Sequence, residues 1–219
     1  MSNRELYVVE QFLSVQGESS YAGKLCWFIR FAGCNLNCSY CDTKYAKKFS
    51  DGSLMSIATL VDKAIASGAE IIEVTGGEPL LQAGVAELCK ELLATGLTIL
   101  METNGSLAID KLPSGVIKVM DVKLPSSGES DNIHYANFSQ LNPHDEVKFV
   151  ISNRADYDFA KQIIDKYLGT NIEREILFSP VWDDITPATL ARWVVADKLK
   201  VRVQLQLHKY IWPPEMRGV

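Results

Sequence analysis

An alternation of two periodicities constrains this chain most. Apolar runs rich in β-branched residues occur at residues 25–31, 71–75, 97–102, 117–122, 146–151, 176–180 and 201–207. Helix-period stretches lie between them, at about 57–66, 85–94, 157–167 and 187–196. Thr186 before Pro187 gives the last stretch a capping hydroxyl and a proline at the first helical position. A further strand is expected early, at residues 5–13. Such alternation calls for a parallel sheet whose strands are returned by helices lying outside it. Two intervals depart from the rule. Only about a dozen residues, among them Gly105, Pro113 and Gly115, separate the runs at 97–102 and 117–122. That is too few for a crossover helix. Residues 126–142 are polar and read as a loop with at most a short helix. The expectation is an α/β fold, an incomplete β/α barrel with a reduced set of outer helices, in one domain over residues 1–219.

A chain of 219 residues buries roughly 70% of its unfolded surface and needs neither disulfides nor a partner for a core. Its 47% hydrophobic and 22% charged residues exclude disorder, collagen and coiled coil. No apolar run approaches the ~18 residues of a membrane span. Residues 1–7 carry Arg4 and Glu5 and no apolar signal core, so export is not expected. Net charge is -5 with no basic stripe, so no direct nucleic-acid contact is expected. Of the five cysteines, Cys26, Cys34, Cys38 and Cys41 crowd within sixteen residues. An odd, clustered set suits a metal centre in a reducing compartment better than a disulfide framework, which places the protein in the cytoplasm.

Cys34, Cys38 and Cys41 have the form C-x3-C-x2-C after Gly33. Three thiolates from one loop can wrap a single metal centre. Zinc has overlapping ligand spacings but wants a fourth ligand. The nearest histidine in sequence is His134, and Cys26 is either that fourth ligand or a small buried apolar residue. An iron–sulfur cluster on three cysteines instead leaves one iron open. The C-terminal ends of the strands carry further unusual segments. They are Val74-Thr75-Gly76-Gly77-Glu78-Pro79, Glu102-Thr103-Asn104-Gly105 and Asp121-Val122-Lys123. In parallel β/α folds that edge binds ligands, so these segments are expected to converge on one site. Gly76 and Gly77 let the backbone approach a small ligand closely, or form an ordinary strand-to-helix turn.

A cysteine loop followed after the next strand by Gly-Gly-Glu-Pro resembles the radical S-adenosylmethionine (SAM) superfamily. The resemblance implies a [4Fe–4S] cluster on the three cysteines, SAM chelating the open iron, and reductive cleavage to a 5′-deoxyadenosyl radical. Within the superfamily, several blocks resemble the 7-carboxy-7-deazaguanine synthases. They are Ser14-Val15-Gln16-Gly17-Glu18, Phe28 to Cys34, Cys41-Asp42-Thr43, Asp121 to Gly128, Gln206 to Trp212 and Arg217-Gly218-Val219. These blocks span most of the chain. They imply a homodimer with a shortened barrel that converts 6-carboxy-5,6,7,8-tetrahydropterin to 7-carboxy-7-deazaguanine with loss of ammonia. SAM is regenerated, Mg2+ is required, and a flavodoxin or ferredoxin-like protein supplies the electron.

By this resemblance Cys34, Cys38 and Cys41 ligate the cluster, and Thr43 is the Mg2+ ligand or else a turn threonine. Tyr40, Gly76, Gly77, Glu78, Asn104 with Glu102, Lys123, Ser126 and Ser127 are the candidate SAM contacts. Tyr40 alternatively packs its loop, and the rest alternatively serve salt bridges or turns. Val15, Gln16, Gly17, Thr75 and Val219 are substrate contacts, with Arg30, Glu18 and His208 in catalytic roles. Arg30 lies in an apolar run, where a charge must be answered by a carboxylate or a ligand; a pterin carboxylate suits its fork. Gln16 and Glu18 suit the donor and acceptor edge of the aminopyrimidinone, or solvate a loop. His208 is placed at the end of the last strand, facing substrate or serving a structural role. The chain ends in Val219 where some members end in proline, so that contact rests on the main-chain carboxylate. Cys89 belongs to a helical core face. A glycyl-radical-enzyme activase, acting on a protein backbone, and a zinc-stapled interaction module are the rival readings.

Overall fold

The computed structural model describes residues 4–169 and 174–219. Residues 1–3 of the amino-terminal stretch considered above lie outside the described residues. The elements run β1 (Glu5–Val15), β2 (Leu25–Phe31), β3 (Ser53–Ser56), α1 (Ile57–Ala66), β4 (Ile71–Gly76), α2 (Val85–Ala94) and β5 (Thr98–Thr103). They continue as β6 (Ile117–Asp121), β7 (Glu146–Ile151), α3 (Arg154–Ile163), β8 (Ile176–Pro180), α4 (Pro187–Asp197), β9 (Arg202–Val203) and α5 (His208–Ile211). Among the described residues, nine strands form one sheet in the order β3-β1-β2-β4-β5-β6-β7-β8-β9. From β2 onward each neighbour is parallel, whereas β1 runs antiparallel to β2 and β3. With β3 and β9 at its two margins the sheet stays open, the incomplete barrel that the element lengths demand. No helix separates β5 from β6, and only short 3-10 turns separate β6 from β7. The first interval lacks the residues to build a crossover helix, and the second is the polar stretch read as a loop with at most a short helix.

The ends of several elements differ from expectation for local reasons. α3 begins three residues early because the Asn153 side chain accepts from the Asp156 N–H and caps it. Its last turn relaxes into a π-type turn, Ile164–Leu168. β3 escapes the sequence pattern because four residues with two serines carry no apolar alternation; pairing with Glu5–Val8 creates it. The last strand shrinks from seven residues to two. Leu207 donates to the Gly17 carbonyl at 2.9 Å, which draws the chain off the sheet and across the barrel mouth.

The two faces of the sheet have different contents. Outward positions such as Ile72, Val74, Ile99, Met101, Phe149 and Phe178 pack against Leu60, Leu88, Leu92, Tyr157 and Leu190 of the helices in one continuous core. Cys89 lies in it, as its helical face predicts. Inward positions begin with a small apolar plug of Cys26, Ile71 and Leu100, flanked by Tyr21, Phe28 and Ile117. Further along the strands, towards their C-terminal ends, the inward side chains include Arg30, Glu73, Glu102, Val119 and Lys148. The period of two in a strand sorts the residues this way.

Candidate active site

Beyond the plug, a cavity of about 730 Å³ opens at the C-terminal ends of the strands. The loop after β2 forms one wall. Gly33 begins it with φ +96, in the left-handed region, and its N–H bonds the Ala46 carbonyl at 2.8 Å. Cys34 N–H bonds the Lys47 carbonyl at 2.9 Å, so the loop is closed on itself. Cys34, Cys38 and Cys41 all line the cavity and all are free thiols. Cys26 is buried in the plug and does not reach the cavity, so it is not a fourth ligand. Among the described residues, no three His, Cys, Asp or Glu groups already stand as a metal-holding set. Burial, with smaller contributions from Asp121, Cys41 and Cys34, pushes the Cys38 thiol up to about 11 despite Lys123. Three thiols from one loop facing one space are the donor set a cationic iron cluster would deprotonate and bind.

The double glycine does something other than cradle a ligand with its N–H groups. A Cβ on Gly76 would overlap the Phe31 backbone, and one on Gly77 would overlap the Gly33 carbonyl. Gly77 N–H bonds Phe31 O at 3.0 Å and Glu78 N–H bonds Gly33 O at 2.7 Å. The pair therefore clamps the end of β4 onto the root of the cysteine loop, while both glycines still line the cavity. Glu78, one of the candidate SAM contacts, lies behind the cavity wall. Fully buried and absent from the cavity wall, it accepts from Thr103 Oγ1 at 3.0 Å, Asn104 N at 2.7 Å and Leu80 N at 3.0 Å. Burial pushes its carboxyl up to about 7 against these donors.

Ser126 and Ser127, also candidate SAM contacts, have a bracing role in the structure. Neither lines the cavity. Their carbonyls instead accept from Ser39 Oγ at 2.7 Å and Ser39 N at 3.0 Å, which pins the middle of the cysteine loop. Asn104 does line the cavity, and its Nδ2 donates to Asn35 Oδ1 at 3.2 Å, a further tie to that loop. Tyr40 Oη donates to Val150 O at 3.3 Å across the opening. Lys123 is paired with Asp121 at 2.9 Å. The other oxygen of Asp121, Oδ1, is buried without a hydrogen-bond partner, a polar atom that a bound molecule would satisfy. Thr43 Oγ1 donates to Asp42 Oδ1 at 2.9 Å, and Lys209 Nζ holds the same carboxylate at 3.0 Å.

On the opposite wall, Val15, Gln16, Gly17, Glu18, Arg30, Thr75, His208 and Val219 all reach the same cavity. Arg30 is answered by Glu10, which takes its Nε at 2.7 Å and also accepts from Tyr45 Oη at 2.9 Å. Gln16 does not offer a free amide edge. Its Nε2 donates to Glu73 Oε2 at 2.9 Å and its Oε1 accepts from Glu18 N at 3.1 Å, so it shapes the loop. His208 lies not at a strand end but in the first turn of α5, its ring filling the space a Gly17 Cβ would need. Burial lowers its pKa, against the pull of Glu18 and Asp42, and keeps it neutral at pH 7.

Two functional residues escape sequence reasoning: Glu73 and above all Lys148. Lys148 is 3% exposed and its Nζ reaches Glu18 at 2.8 Å, Asp121 at 3.4 Å and Glu102. The signal that singles out Arg30, a charge inside an apolar strand, is equally present in Ile71–Gly76 and Glu146–Ile151.

An open β/α barrel with three thiols of one loop at its mouth defines the class. Residues 28–194 match the model of the Radical SAM superfamily, and the chain belongs to that superfamily. It is 44% identical over 217 residues to the 7-carboxy-7-deazaguanine synthase of Chlorobaculum tepidum, covering 98% of this chain and 97% of that one. It is 40% identical over 230 residues to the Koribacter versatilis enzyme of the same name, covering 98% and 100%. The chain therefore belongs to the 7-carboxy-7-deazaguanine synthase family. Among solved structures it resembles QueE from Escherichia coli with a TM-score of 0.78 at 22% identity, over 93% of this chain and 95% of that one. That likeness confirms the fold. Membership implies a [4Fe–4S] cluster and SAM, for which Cys34, Cys38 and Cys41 are the ligands at hand. Among the described residues, no helix is long and apolar enough to cross a membrane.

Proposed function

We propose that this protein is a radical SAM lyase that converts 6-carboxy-5,6,7,8-tetrahydropterin to 7-carboxy-7-deazaguanine with release of ammonia, in queuosine and 7-deazapurine synthesis. The observation that carries the reading is the shared cavity. The cysteine loop opens onto the same space as Arg30, Glu18 and Thr75, so cofactor and a small substrate can meet there. The cluster with SAM, when bound, supplies a one-electron cleavage that ends in hydrogen abstraction from the substrate. The chain's own residues hold that substrate. Among the described residues only the Nε of Arg30 has a partner, which leaves the outer fork for a carboxylate. Glu18, kept ionised by Lys148, accepts from the N–H groups of the ring edge. Neutral His208 offers one donor and one acceptor beside Gly17. Thr43 holds Mg2+ next to the substrate carboxylate, since a hydroxyl leaves most magnesium positions to water and ligand. Tyr40, Asn104 and Lys123 face SAM from the cysteine side, and the Val219 carboxylate faces the substrate.

The whole chain, residues 1–219, acts as one unit. It works in the cytoplasm, where its five unpaired cysteines stay reduced, as a homodimer fed by a flavodoxin or ferredoxin-like donor. The enclosed ring of charge at the cavity floor favours a small polar substrate over the protein backbone of an activase. Anaerobically reconstituted protein given reductant, SAM, Mg2+ and 6-carboxytetrahydropterin is expected to form the deazaguanine acid. A fully loaded cluster without product would reject the assignment.

A further inference from the structure

The floor of the cavity contains more carboxylates than cations. Glu18 from the loop after β1, Glu102 from β5 and Asp121 from β6 all meet the single ammonium of Lys148 on β7. Lys123 helps to balance Asp121 alone. One carboxylate charge is therefore left for whatever fills the cavity to answer. The layering is specific. Lys148 is 3% exposed, whereas the side chains of Glu18 and Glu102 are 17% and 32% exposed, so the ammonium lies beneath the oxygens it gathers. Each oxygen array is fixed from a second side as well. Gln206 Nε2 donates to Glu18 at 2.9 Å, and Thr75 Oγ1 donates to Glu102 at 3.1 Å. A rigid pair of carboxylates facing one space matches a planar edge that carries several N–H donors.

We infer that Lys148 is a positioning residue that gathers Glu18 and Glu102 into one acceptor array, and that this array selects ligands by the exocyclic amine edge of the heterocycle. The inference rests on the pterin reading above and extends it to a specificity determinant that touches no substrate atom. Glu73, a further cavity carboxyl that burial and the neighbouring Glu102 push well above the usual carboxylate range, is engaged by Gln16 Nε2 at 2.9 Å and does not contact Lys148. A site built this way discriminates strongly, because a ligand with an oxygen in place of the amine leaves desolvated carboxylates unpaired and facing another acceptor.

The experiment compares 6-carboxytetrahydropterin with its analogue carrying an oxo group in place of the exocyclic amine, using holoenzyme with Mg2+. Wild type is expected to prefer the amine by at least about a hundredfold in kcat/KM. Lys148→Met is expected to retain cluster absorbance and SAM affinity, to raise KM about tenfold or more, and to lose at least a tenfold share of the preference. Unchanged KM and preference in a cluster-loaded variant overturn the inference. Should Lys148→Met fail to fold, Glu102→Gln keeps Lys148 paired with Glu18 and Asp121. It too is expected to lose tenfold in preference, and an intact preference overturns the inference. Wild type that holds its cluster and SAM yet turns over neither compound overturns the pterin reading itself, an outcome distinct from turnover without discrimination.

Discussion

The same strands build the two faces of the sheet, yet the faces behave as different materials. Outward, Ile72, Val74, Phe149 and Phe178 meet helices in a dry core. Inward, at the alternate positions of the strands, Glu73, Lys148 and Arg30 line a cavity, each held by a polar or charged partner. The outer face stabilises by area removed from water, which is tolerant of detail. The inner face is held by paired charges, each costly unless all are present. Stability and function thus reside on opposite sides of single strands, and substitutions can separate them.

The largest separation is expected from the outer side. Phe178 is fully buried between Phe149 and Tyr157, with ring centroids at 5.6 and 5.7 Å. Phe178→Ala should cost about 3–5 kcal/mol of unfolding free energy while the surviving folded protein still loads its cluster. Urea unfolding with cluster quantitation measures both. A loss of cluster without loss of stability would break the division between faces.

The inner side should give the converse. Arg30→Ala is expected to lower kcat/KM about a hundredfold or more while leaving cluster content and SAM cleavage intact. Its stability cost should stay near the 1–3 kcal/mol of an unpaired Glu10, because that ion pair is only partly buried. Loss of the cluster in this variant would instead make Arg30 part of the scaffold.

The same division explains what sequence alone can reveal. α1 and α2 match their helix-period stretches to the residue, because Ile57, Leu60 and Ala64, or Val85, Leu88 and Leu92, repeat on one buried face. The cysteine loop is legible for a related reason, since its ligands are neighbours in sequence. Glu73 and Lys148 are not. β4 and β7 are buried on both faces, so their runs lack alternation and a single charge reads as an exception. The partners of Lys148 come from the loop after β1 and from β5 and β6, and only the assembled sheet brings them together. The roles of Glu78, Ser126 and Ser127 are hidden differently. The residue types suit a cofactor contact, but the hydrogen bonds that brace the cysteine loop from behind have no local signature.

A smaller effect tests the charge pairing of the inner face through pH. Burial alone would raise the Glu18 carboxyl, but Lys148 overcomes it, with help from His208 and Gln206, and holds the carboxyl at about 2 against an ordinary 4.5. As acid is added, the unfolded chain takes up this proton first. The stability contributed by Glu18 is therefore fully present above about 4.5 and is lost as pH falls towards about 2. Glu18→Gln removes the titrating group. Wild type should be the more stable at neutral pH, and the gap between the two urea midpoints should narrow progressively below about 4.5. A gap that stays constant through that range would mean that Glu18 is not ionised against Lys148, and the inner face would then be a hydrogen-bonded surface and not a charge-paired one.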